Sequence, residues 1–178
     1  VEKSYFGEFF KLLQQLHRHS EKDKEGKNLY HRIVAERLLH HPLTRLAFHW
    51  SPDKDSGLRR HKVTAHEIES VYRFPGTTLI FGNYNTPDSI FSLIKQLLEI
   101  LNRTFTEQDN GQGRMEPAIT GFIQEELKIL EEQLTPHLPT IGNDSAWQMI
   151  IECINGLKVP FSGEPVSGLQ IMGFLESR

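Results

Sequence analysis

Apolar side chains recur along most of this chain at the spacing of helix faces. Phe6, Phe9, Phe10, Leu13 and Leu16 fall three or four residues apart and predict a first helix over 5–17. The charged stretch 20–27 predicts a solvated connection. A second helix is expected over 29–40, with Leu29, Ile33, Val34 and Leu38 inward and Pro42 just beyond its end. Residues 43–62 carry no period and read as irregular, with a turn-rich tip at 51–57.

From Thr64 onward the punctuation is clearer. Thr64 and Glu67 are spaced as a capping box, each able to satisfy the other's backbone N–H, so a short helix should run to about Tyr72. Pro75-Gly76 marks a turn. The β-branched and apolar residues of 77–81 predict one short strand. Thr86-Pro87 offers a capping hydroxyl followed by proline at the first helical position, and Ile90, Ile94, Leu97 and Leu101 line the helix that follows, flanked by Phe91 and Leu98. Residues 106–113 read as a polar, Gly-rich loop. Pro117 then opens a long helix to about Leu134, with Ile119, Phe122, Ile123, Leu127 and Leu130 inward, stopped by Pro136 and Pro139. Asn143-Asp144-Ser145 should cap a last helix with a face of Trp147, Ile150, Ile151 and Ile154, stopping near Gly156.

The closing stretch has another texture. Residues 159–168 are crowded with Pro, Gly and Ser and read as a loop, and 169–178 form an apolar run of the kind seen in a strand buried on both faces. The expected fold is therefore mainly α, with about five to six helices and one or two short strands. Residues 1–158 form a helical subdomain, and 159–178 a loop and the first strand of a further lobe. An opening at Val1 without Met, and a buried strand with nothing after it, lead us to expect a piece of a longer protein.

Composition bounds the chemistry. With 178 residues, 38% hydrophobic and 24% charged, the chain can bury a core and is globular in class. No apolar run approaches the roughly 20 residues of a membrane span, so no membrane partner is expected. One cysteine, Cys153, excludes an internal disulfide and favours a cytoplasmic protein. The net charge of −3 argues against a generally electropositive nucleic-acid binder.

Familiar catalytic patterns are missing. There is no phosphate-cradling glycine loop; Gly111-Gln112-Gly113 follows no expected strand and reads as a loop tip. Nine histidines include the neighbours His17 and His19, and His40 and His41, but no set of three or four spaced as metal ligands, so no metal is assigned. Pro52-Asp53 and Glu126-Leu127-Lys128 supply the letters of a PD-(D/E)xK nuclease, yet the second sits on an expected helix with Leu127 inward. Cys153 reads as a small core residue beside Ile154 rather than a nucleophile. No catalytic and no cofactor-binding residue is assigned.

The densest basic stretch is Arg59, Arg60, His61 and Lys62, with Lys54 nearby and Phe48 and Trp50 just before it. Cations interleaved with aromatics can hold a phosphate backbone and stack a base, so Lys54, Arg59, Arg60 and Lys62 are the candidate DNA-binding residues. A solvated loop beside a buried tryptophan is the competing reading.

The run Gly163-Glu164-Pro165-Val166-Ser167-Gly168-Leu169-Gln170-Ile171-Met172-Gly173-Phe174-Leu175-Glu176-Ser177-Arg178 resembles the entry into the second RecA-like lobe of superfamily I helicases, where a strand of the form V-x-V-M-T-x-H-x-A-K-G follows an inserted helical subdomain. Ile171-Met172 match its apolar core and Arg178 its basic position. Gly173 stands for the family's Thr and Leu175 for its His, a departure similar to the helicase-like B subunits of AddAB-type helicase–nucleases, particularly the bacteroidete form. The opening segment from Ser4 to Leu16 is similar to the helix after helicase motif IV. Leu29-Tyr30-His31-Arg32-Ile33-Val34, ending Leu38-Leu39-His40-His41-Pro42-Leu43, resembles the helix in which that family places a Y-x-x-V...L-x-H-P pattern. The resemblance implies a parent protein that processes broken duplex DNA for recombinational repair, an ATP-dependent helicase-like nuclease. ATP and Mg would be held elsewhere in that protein, and this helical subdomain, itself without catalytic residues, would position DNA or brace a partner helicase–nuclease subunit. The rival expectation is a protein-interaction module with no nucleic-acid role, and a small enzyme with an unrecognised site is a third.

Overall fold

The computed structural model describes residues 2–51, 58–108 and 115–157 of the chain, and the terminal loop and strand expected over 159–178 lie outside them. Helix α1 (Glu2–Arg18) is the axis on which the described chain packs. Phe9, Phe10, Leu13 and Leu16 are all 0% exposed on it, as their spacing predicts. Its neighbours are α2 (Arg32–His40) and α8 (Asn143–Gly156). Helices α6 (Pro87–Gln108) and α7 (Met115–Leu134) pair with each other and with α8, and α6 also packs on α3 (Pro42–Ala47). Two further helices, α4 (Ala65–Tyr72) and α5 (Thr77–Ile80), and a short 3₁₀ turn at Leu138–Thr140 complete the helical set. The fold is mainly α with short strands, but the described residues hold eight α-helices rather than five to six.

Two contacts orient α8 against α1. A Cβ on Gly7 would lie 2.6 Å from Asn155 Oδ1, so glycine permits the close approach there. At the other end Arg18 Nε lies 3.5 Å from Asp144. The two helices are thus antiparallel, and the end of α8 lies beside the beginning of α1.

Strands β1 (Glu21–Lys22), β2 (Asn28–His31) and β3 (Lys62–Thr64) form an antiparallel sheet in that order, one strand more than expected. The solvated connection at 20–27 is a hairpin: Asp23 Oδ1 accepts from the N–H groups of Glu25 and Lys27, both at 2.8 Å, and Gly26 takes φ +80°. The second helix begins at Arg32, not Leu29. Residues 28–31 alternate instead, with Tyr30 fully buried and paired to Val63 while Leu29 and His31 face outward. Tyr30 Oη reaches the carbonyls of Phe81 at 2.7 Å and Gly82 at 2.9 Å. Ile33, expected inward, is 52% exposed, because Ala35, Leu38 and Leu39 set the buried face of the shorter helix.

Four further expectations change. The strand over 77–81 is one turn of helix: Thr77 Oγ1 donates to Phe74 at 2.6 Å and the Phe81 N–H to Thr77 at 2.9 Å. A strand there would need a neighbour, and these backbone groups are satisfied locally. Residues 43–62 are only partly irregular, since α3 occupies their beginning and β3 opens at Lys62. Helix α6 runs on through Gln108, and Phe122 on α7 is 40% exposed.

The strong start signals hold. Thr64 and Glu67 make both bonds of the capping box, and Ser89 N–H donates to Thr86 Oγ1 at 3.3 Å ahead of α6. Asn143 is already helical; Gly142 precedes it and no side chain caps α8.

Candidate functional site

The residues proposed from sequence to grip DNA are dispersed in their interactions. Lys54 lies outside the described residues. Arg60 is paired with Glu67 at 3.4 Å, and Lys62 is hydrogen-bonded to Glu21 across the sheet. Arg59 is exposed and forms no ion pair among the described residues. The aromatics that precede them turn inward: Phe48 and Trp50 each contact Phe74 edge-on, with ring centroids 5.0 Å apart. Trp50 also meets Tyr72 at 6.1 Å. Two of the three described cations are thus partnered by carboxylates, and both rings are partly buried against Phe74.

The nuclease letters do not converge. Glu126 and Lys128 sit on α7 with Leu127 1% exposed between them, and Pro52-Asp53 lies outside the described residues. No group of three or more His, Cys, Asp or Glu side chains among the described residues could hold a metal ion. Cys153 is half-buried; burial first, and then the Glu126 charge, raises its thiol pKa, which disfavours the thiolate. No helix among the described residues is long and apolar enough to cross a membrane.

Two histidines stand out in the folded chain. His17, in the last turn of α1, is ringed by Tyr84, Tyr30 and Trp147, with centroids at 5.1, 6.0 and 6.0 Å. The residue is only partly buried, yet its Nε2 is shut off from solvent and has no hydrogen-bond partner among the described residues. Burial drives its pKa down to about 4, opposed by the nearby Ile80 backbone. Beside it lies a polar cavity of about 70 Å³ reached by Asn28, Asn143 and Asp144. Tyr84 donates to the Leu79 carbonyl, and burial, with Tyr30 adding to it, pushes its phenol up to about 12.

His41 links α2 to α3. Its Nδ1 accepts the Leu43 N–H at 3.2 Å and so caps α3, which leaves Nε2 as a buried nitrogen without a partner among the described residues. Burial lowers the His41 pKa and the Glu8 charge opposes that. Tyr5 and Phe9 cover its ring, with centroids at 4.9 and 5.3 Å.

In front of Tyr5 the surface opens. A groove of about 290 Å³, apolar in most of its lining, is walled by Tyr5 and Phe6 of α1, Pro42, Leu43 and Leu46 of α3, and Phe105 of α6, with Glu116 at its edge. It continues past Pro42 and Leu46 into a more open, more polar hollow of about 450 Å³ that includes Arg45, His49 and Trp50. The volume is near the lower bound for small-ligand clefts, and the walls come from three helices. Each wall is anchored from behind: Phe6 is 2%, Leu43 3% and Phe105 7% exposed, so the groove is preformed. Sequence reading missed it because its walls lie far apart in the chain. The one signal was the unusual pair Tyr5-Phe6 opening a helix.

No protein-family model, no curated protein and no solved structure matches this chain.

Proposed function

We propose that the chain is a non-catalytic helical module that works by docking another protein through the groove beside α3. The observation that carries this reading is the mostly apolar groove of about 290 Å³ lined by Tyr5, Leu43, Leu46 and Phe105, in which Tyr5 and Leu46 are the partly exposed members, beside the hollow that holds Arg45. The resemblance of 163–178 to a second RecA-like lobe supports placing the module in a cytoplasmic, helicase-like DNA-repair nuclease. There it would brace the partner helicase–nuclease subunit, while ATP and Mg belong to other parts of that protein. Arg59, exposed and without an ion pair among the described residues, favours a second reading in which the 59–62 loop positions DNA.

Titrating forked DNA against the chain at low and moderate salt separates the two. The docking reading expects feeble binding that Arg59→Ala/Arg60→Ala/Lys62→Ala leaves unchanged. Tight binding that falls steeply with salt and is lost in the triple variant would replace docking with DNA positioning.

A further inference from the structure

The charges around the groove narrow what can occupy it. Arg45, on α3, projects from the polar hollow and donates to Ser51 Oγ at 3.1 Å, but it has no carboxylate partner among the described residues. Arg37, Arg60, Lys62 and Lys95 are each paired with a glutamate, whereas Arg45, like Arg59, is not. His49 stands beside Arg45, held at φ +47°, and lines the same hollow. Among the described residues that line the apolar part, Glu116 carries the one carboxylate. The groove therefore has a polarity: Arg45 lines only the polar hollow and Glu116 only the apolar part.

We propose that the groove takes a peptide segment of a partner protein in which one or two bulky apolar side chains are followed by an acidic residue, the apolar group seated against Tyr5, Leu43 and Phe105 and the carboxylate on Arg45. This rests on the docking reading above and names its partner's chemistry. Guanidinium–carboxylate pairing at a partly enclosed rim fixes register, and the apolar anchor supplies the larger share of affinity. Glu116 rejects the same peptide in reverse, because its acid would then meet a carboxylate.

The test is a fluorescence-anisotropy titration of the full chain with a labelled Leu-Phe-Glu-Glu peptide and a Leu-Phe-Lys-Lys counterpart. The acidic probe is expected to bind at least about tenfold more tightly than the lysine probe at low salt, and less so as salt rises. Arg45→Glu should erase that preference, and Leu46→Gln, on the wall shared by groove and hollow, should abolish binding of both probes. Equal binding of the two probes, still lost in Leu46→Gln, overturns the charge assignment and leaves docking standing. Binding of neither probe, or binding indifferent to Leu46→Gln, overturns both. A molecular mass that doubles with concentration and reverts in Leu46→Gln overturns the proposal in favour of a second copy of this chain.

Discussion

The two ends of α1 carry the same apolar periodicity and are finished in opposite ways. At the His17 end the hairpin, the 82–86 loop and the start of α8 deliver Tyr30, Tyr84 and Trp147 around the helix, and only about 70 Å³ remains unfilled. At the Tyr5 end α3 and the last turn of α6 arrive, with Glu116 of α7 beside them, and about 290 Å³ of mostly apolar groove stays open. A helix face thus reports that it will be covered, not by what. The closed end serves stability; the open end is where, on our proposal, a partner completes the cover.

Substitutions at the two ends should separate these roles. Trp147→Ala, at a residue 2% exposed, should cost about 3–5 kcal/mol of unfolding free energy in urea titrations. A loss under about 1 kcal/mol would mean that the aromatic enclosure of His17 contributes little.

Acid should act at the same end, with buried His41 adding to it beside Tyr5. Above pH 6.5 His17 is neutral in both folded and unfolded chains, and its contribution is fully present. As pH falls from there toward about 4, the unfolded chain takes up a proton that the folded chain refuses. Stability drops by up to about 3 kcal/mol over that window. His17→Phe keeps a ring against Trp147 and should flatten this part of the pH–stability curve, whereas an unchanged slope would assign the acid sensitivity to other groups.

The open end should be far more tolerant. Leu46→Gln should cost about 1 kcal/mol, because its side chain is only partly withdrawn from water. Arg60→Ala removes an ion pair that is 81% exposed on the arginine side and should shift the urea midpoint least, by under about 0.5 kcal/mol in free energy. A larger loss at Leu46 than at Trp147 would invert the comparison between the ends.

What the sequence revealed divides along the same physical line. Helices α4 and α6 are legible because their start signals, Thr64 with Glu67 and Thr86 with Pro87, act within a few residues. Strand β2 is not, since Leu29 finds Thr64 far along the chain, and without that partner 29–31 simply extends the helical pattern. The basic loop shows the same limit. Arg60 and Lys62 are visible as charges, but the carboxylate of Glu21 reaches Lys62 only through the sheet. The groove needs α1, α3 and α6 brought together and leaves no local mark beyond Tyr5-Phe6.

The most direct test of the central claim is where an acidic apolar peptide lands on the folded chain, read from backbone amide chemical shifts during titration with the Leu-Phe-Glu-Glu probe. The account predicts perturbations gathered at Leu43, Arg45, Leu46 and Phe105, with the amides around His17 and Trp147 unmoved. Shifts centred on 59–62 or on the His17 end, with the α3 amides silent, would contradict it.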